Sequence, residues 1–221
     1  MSLQTIIDNA TFLTINKRKG AGVTVSRSGH IKTSVQQGSL YRFTVGAPQG
    51  FKYSDNRGVL EDLDTQDVTV EANVSLNNNS GMNYITDYKG SLTSGQLDQV
   101  TLVGTSGSEI YVSTTSVSGN VSGYTNLIKK GDFIQPEGNT GTYRYPYQAT
   151  SDVAWSSSSN ITIPVHRPIL SQDGVALTSG NLRFGTEVRF HCVVLNMPTY
   201  SVVPHDLIEF TNDFELIERI T

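Results

Sequence analysis

A chain of 221 residues is long enough to bury a core without staples, as one large β domain or as two small ones. Cys192 is its only cysteine, which excludes an intramolecular disulfide framework and a cysteine-rich zinc site. The net charge of −4 conceals an asymmetry, because residues 1–60 carry eight Lys/Arg against Asp8 and Asp55, a balance of +6, while residues 61–221 stand at −10.

Ser, Thr and Gly dominate and long runs of helix formers are missing, a balance that favours short strands joined by many turns. No apolar run approaches the roughly 20 residues that cross a bilayer. No charged-then-apolar leader opens the chain, so a protein made and used without a secretion signal is expected.

In chain order, TFLTIN (11–16) reads as a strand, and 17–22 as a polar turn. VTVS (23–26), HIKTSV (30–35) and YRFTV (41–45) read as further strands between Gly-bearing breaks. Alternation with period 2 makes this an antiparallel meander. Thr, Lys, Arg and Ser share these strands with Ile, Val and Phe, so one face is polar and meets either solvent or a polar channel. The cluster Lys17-Arg18-Lys19 is too short to imply nucleic-acid binding; it fits a solvated hairpin tip or a contact with a charged neighbour.

Residues 46–58 read as a loop and 59–66 as a short helix. DVTVEANVSL (67–76) reads as a strand with Val68, Val70, Ala72, Val74 and Leu76 on one face. A further strand is expected over 82–88. A Gly- and Ser-rich stretch near residue 90 then suggests a boundary between a first domain, 1–90, and a second, 91–221, or between two sheets of one domain. VTLV (100–103) and EIYVS (109–113) flank a Gly-Ser turn as a hairpin. Ser156 to Ser159 reads as a hairpin tip, and EVRFHCVVL (187–195) as a strand burying Val188, Phe190, Cys192 and Val194. LIEF and FELIERI alternate across a turn at 211–213.

Known site chemistries find little to work with. No Ser or Cys sits beside an oriented base, and His191 and Cys192, as strand neighbours, point to opposite faces. The four histidines are dispersed without metal-ligand spacing, so neither metal nor cofactor is expected. Glu61, Asp62, Asp64, Asp67 and Glu71 lack the glycine-bearing loop of a calcium hand, and Glu209, Asp213 and Glu215 form an unremarkable acidic surface. The sequons at Asn9, Asn73 and Asn160 carry little weight without a secretion signal. Tyr143, Tyr145 and Tyr147 alternate and so share one side of a strand. They suit a core, a subunit interface or stacking on sugar rings.

Two stretches carry a resemblance. The turn GDFI (131–134), followed by YPYQATSDV (145–153) and ITIPVHRPIL (161–170), resembles modules of bacteriophage tail and baseplate proteins. MPTYSVVPHDLIEFTNDFELIE (197–218) is similar to the ends of phage minor tail and baseplate-hub proteins, which pair a proline-bounded strand with a final hairpin. Together the two cover about a third of the chain, and the first 90 residues are loosely similar to tail-tube β-barrels whose long hairpins join subunits into a ring.

The expected fold is all-β, an antiparallel barrel or sandwich with an extended N-terminal meander and little helix. The resemblance implies a non-enzymatic virion protein of the tube end or baseplate hub, assembled in the host cytoplasm as a six-fold ring. Its partners would be further copies of itself, other tail or baseplate proteins, and DNA passing without sequence-specific contact, with no membrane. Lys17, Arg18, Lys19, Tyr143, Tyr145 and Tyr147 are the candidate subunit-interface residues. The competing reading is a carbohydrate- or receptor-binding β-sandwich at a tail tip, using the Tyr row.

Overall fold

The computed structural model describes residues 2–17, 21–25, 31–35, 40–65, 71–76, 82–137, 145–171 and 177–220. It is mostly antiparallel β, with one sheet curled into a half-barrel. The first part of the chain forms α1 (Ser2–Asp8), β1 (Leu13–Asn16), β2 (Ala21–Val25), β3 (Ile31–Val35), β4 (Arg42–Val45), α2 (Tyr53–Thr65) and β5 (Glu71–Val74). A 3-10 turn at Met82–Ile85 leads to α3 (Ser94–Leu97), β6 (Thr101–Ser106), β7 (Glu109–Ser113), β8 (Asn126–Ile128) and β9 (Phe133–Pro136). Next come β10 (Tyr147–Gln148), β11 (Val153–Ala154), β12 (Ile161–Pro164) and β13 (Gly180–Phe184). A second 3-10 turn, Gly185–Glu187, precedes β14 (Phe190–Asn196), β15 (Tyr200–Val203), β16 (Leu207–Phe210) and β17 (Phe214–Glu218).

Five strands form one sheet in the order β1-β4-β17-β14-β5, and six form another in the order β10-β9-β13-β6-β7-β12. Each sheet has its own core. The first gathers Ile6, Ile7, Tyr41, Phe43, Phe190, Phe214 and Leu216 from both ends of the chain, and the second gathers Leu102, Ile110, Ile134, Tyr145, Tyr147 and Ile163 from its middle. The expected boundary near residue 90 marks only the outward crossing. The chain crosses back near 188, and β14 and β17 pair with strands of the first sheet, so 91–221 is not one unit.

Local chemistry explains the elements. In α1, Leu3, Ile6 and Ile7 recur at helical spacing and are buried, as is Ala10 just beyond the helix. Gln4 holds the helix to the sheet edge: its Nε2 donates to Ser75 O at 3.1 Å, and its Oε1 accepts from Ser75 N at 2.8 Å. Helix α2 runs longer than the short helix expected, because its N-terminus is capped from outside its own segment. In the turn between β15 and β16, Asp206 O accepts from Tyr53 N at 2.9 Å, and its carboxylate accepts from Ser54 N at 3.0 Å and from the Ser54 hydroxyl. His205 and Asp206 adopt φ of 68° and 65° to make that turn, a conformation non-Gly residues rarely take. Between β6 and β7 the register Ser106↔Glu109 leaves a two-residue loop, and Gly107 at φ 55° supplies its left-handed position.

Three expectations are corrected. Met82–Ile85 is a 3-10 turn rather than part of a strand. β16 pairs with β15, and β17 lies between β4 and β14, so the closing segment is not a β16–β17 hairpin. The reason is burial: β17 places Phe214, Leu216 and Glu218 inside, whereas β16 fully buries only Ile208. The Ser156 to Ser159 run joins β11, which pairs with β8, to β12, which pairs with β7, so it is not a hairpin tip. Residues 67–70 of the expected strand lie outside the described residues, while Val74 and Leu76 are buried.

Candidate functional site

Phe214, Leu216 and Glu218 alternate onto the buried face of β17, which brings a carboxylate into the interior. A buried carboxylate requires a cation and further hydrogen bonds. Arg167, just beyond β12, supplies the cation: Nη1 donates to Glu218 Oε2 and Nη2 to Oε1, each at 2.6 Å. Nη2 also donates to Pro146 O at 3.0 Å, and Tyr41 N donates to Glu218 Oε2 at 3.2 Å. The guanidinium lies 5.5 Å from the Tyr41 ring centre and 5.2 Å from that of Tyr147, within cation–π range. Burial acts to lower the Arg167 pKa, but the hydrogen bonds and charge of Glu218 outweigh it and hold the guanidinium above its usual value.

This junction is a clamp between the two cores. Phe133 of β9 extends it, its ring 6.0 Å from Tyr41 and 5.7 Å from Phe190. His166 Nδ1 accepts from Gln148 N at 3.0 Å, which makes it the unprotonated nitrogen of that ring. Neither Arg167 nor Glu218 exposes more than 1% of its side chain, so no substrate reaches them. Glu218 was legible in the sequence, since FELIE alternates and its third inward position is an acid; its partner, 51 residues away, was not.

Of the predicted interface residues, the three described, Lys17, Tyr145 and Tyr147, are not brought together on a surface. Tyr145 and Tyr147 are fully buried, which corrects their assignment to a subunit interface. β10 is only two residues long, and the rings fill the core beside it, where they bury the most apolar area. The Tyr147 hydroxyl accepts from Leu170 N at 2.9 Å, and burial pushes its pKa up to about 12. Lys17 is exposed, its ammonium donates to Gln148 Oε1, and partial desolvation lowers its pKa. Arg18, Lys19 and Tyr143 lie outside the described residues.

No protein-family model matches this sequence, and no curated protein matches it.

Cys192 is fully buried on β14, and burial together with the Glu218 charge raises its pKa well above the usual thiol value. It is therefore an unreactive thiol. No group of three His, Cys, Asp or Glu that could hold a metal occurs among the described residues.

What remains is surface. β2 and β3 pair with each other, from Ala21↔Val35 to Val25↔Ile31, and with no other described strand. They leave the first sheet between two of its neighbours, β1 and β4, whose register runs from Leu13↔Val45 to Asn16↔Arg42. β1 is an edge strand and pairs only with β4 among the described strands. Beside it a groove of about 510 Å³ is lined by Phe12, Pro48, Leu207, Phe210, Glu209 and Asp213 among others. A smaller cavity, about 220 Å³, lies where the chain crosses between the cores, against Tyr88, Leu92, Leu97 and Phe184.

Proposed function

We propose that the protein is a structural virion protein of a phage tail, at the tube end or baseplate hub, whose copies close into a ring around the DNA passage. The observation that supports this reading is the β2–β3 hairpin. It leaves a sheet whose edge strand β1 has no second partner among the described strands, so one molecule carries both a donor hairpin and an acceptor edge. An unpaired edge is a template for another chain, and a head-to-tail contact of that kind closes into a ring when its rotation permits. Charge agrees: residues 9–54 contain seven Lys/Arg and neither Asp nor Glu, while 61–221 is acidic. The resemblance of 131–170 and 197–218 to tail and baseplate proteins supplies the setting, and among the described residues no helix is long and apolar enough to cross a membrane.

The burial of Tyr145 and Tyr147 removes the aromatic row on which the sugar-binding alternative rested. The test is class-averaged electron microscopy of the concentrated protein, combined with light scattering. Closed rings with a central opening are expected. A strictly monomeric protein that binds one glycan class would overturn the proposal.

A further inference from the structure

We infer that the groove beside β1 is the receiving site for the basic hairpin segment, residues 18–39, of a second copy of this chain; this rests on the ring reading above. The groove is apolar along Phe12, Pro48, Leu207 and Phe210, and its charged lining consists of Glu209 and Asp213. Glu209 is exposed, and Asp213 Oδ1 accepts from Ala47 N at 3.3 Å, leaving the other carboxylate oxygen for an incoming cation. Phe12 stands 44% exposed, a large ring uncovered at the mouth of the groove. It rests against Gly46, where an added Cβ would come within 2.4 Å of Phe12 Cδ1, so the missing side chain at 46 is what gives the ring its place.

Position and charge select the occupant. Thr11 and Phe12 directly precede β1, and the β1–β4 ladder continues through them, Thr11 N donating to Gly46 O at 3.2 Å and Gly46 N to Phe12 O at 2.9 Å. The groove therefore lies at the end of the β1–β4 ladder, where a strand added alongside β1 would finish. Segment 18–39 contains Arg18, Lys19, Arg27 and Lys32 and no acid, which matches a groove lined by two carboxylates and, among the described residues, no cation. Lys and Arg also lay their aliphatic stems along apolar walls while the charged head reaches a carboxylate.

Cys192 is buried, so introduced cysteines report without interference. Full-length Arg27→Cys carrying one tag and Glu209→Cys carrying another are mixed under mild oxidation, with Arg27→Cys and Glu109→Cys as the control pair. The first pair is expected to cross-link between tags well above the control. In sedimentation, Phe12→Glu and Glu209→Arg should each weaken self-association about tenfold, as for loss of one interface anchor, and Arg27→Glu should restore Glu209→Arg. Wild-type self-association in both single variants, with cross-linking no better than the control, would overturn the groove assignment and leave the ring standing. Absence of self-association in the wild-type protein at every concentration, with no cross-link, would overturn both.

Discussion

Arg167 and Glu218 form a fully desolvated pair, and single and double replacements of it should differ sharply. Arg167→Met leaves the Glu218 carboxylate buried and unpaired, and denaturant titration should show a loss of about 3–5 kcal/mol. Arg167→Met with Glu218→Leu should recover much of that loss, because the desolvation cost of both charges disappears together. A double variant as damaged as the single one would mean that the hydrogen bond from Tyr41 N to the Glu218 carboxylate, rather than the ion pair, holds the junction.

Asp206 makes a different prediction at the same scale. Its hydrogen bonds from the Ser54 side chain and backbone lower its pKa below the usual carboxylate value of 3.8. A group with a depressed folded-state pKa contributes stability that is present above the unfolded value and is lost as pH falls through the folded one. Thermal stability should therefore drop below pH 4 by less in Asp206→Asn than in the wild type. Equal acid sensitivity of the two would remove Asp206 as a contributor.

Among the elements, the β2–β3 hairpin and the crossings between cores are most open to test. Replacing residues 18–39 by a short Gly-Ser linker keeps Tyr41 and the β1–β4 register and removes a hairpin that pairs with nothing else described. Unfolding should then stay close to wild type while self-association disappears. Gly185 sits at the return crossing with φ +58°, where an added Cβ would meet Tyr88 N at 3.0 Å and Thr86 O at 3.1 Å. Gly185→Ala should cost at least about 1–2 kcal/mol from the left-handed backbone alone. A neutral Gly185→Ala would show that the two crossings can separate without penalty.

Across the whole molecule, two cores meet at one aromatic and ionic junction. Trp155, the only tryptophan, packs half-buried against the second core with its ring 5.9 Å from Tyr124, whereas β14 is an interior strand of the first sheet. The shared junction makes the cores unfold together, so Trp155 fluorescence and hydrogen exchange of the β14 amides should report one transition. Phe133→Ala removes a ring that belongs to a strand of the second sheet and is buried in the first core, and it should pull the two transitions apart. Separate transitions already in the wild type would show that the junction does not couple them.

The sequence by itself determined the class of fold and most of its strands, because period-2 alternation in stretches such as 109–113 and 214–218 is a local signal that burial then honours. It also determined the buried face of β14, where Phe190, Cys192 and Val194 lie inside, as does Val188 just before the strand. Only the tertiary structure decided which strands are neighbours. β17 leaves β16 for β4 and β14, the chain returns to its first sheet after 188, and Arg167 finds Glu218, all through contacts between residues far apart in the chain. The Tyr residues show the same limit. Alternation placed Tyr145 and Tyr147 on one side of the chain, but whether that side faced a partner or a core depended on what else the fold packed against it.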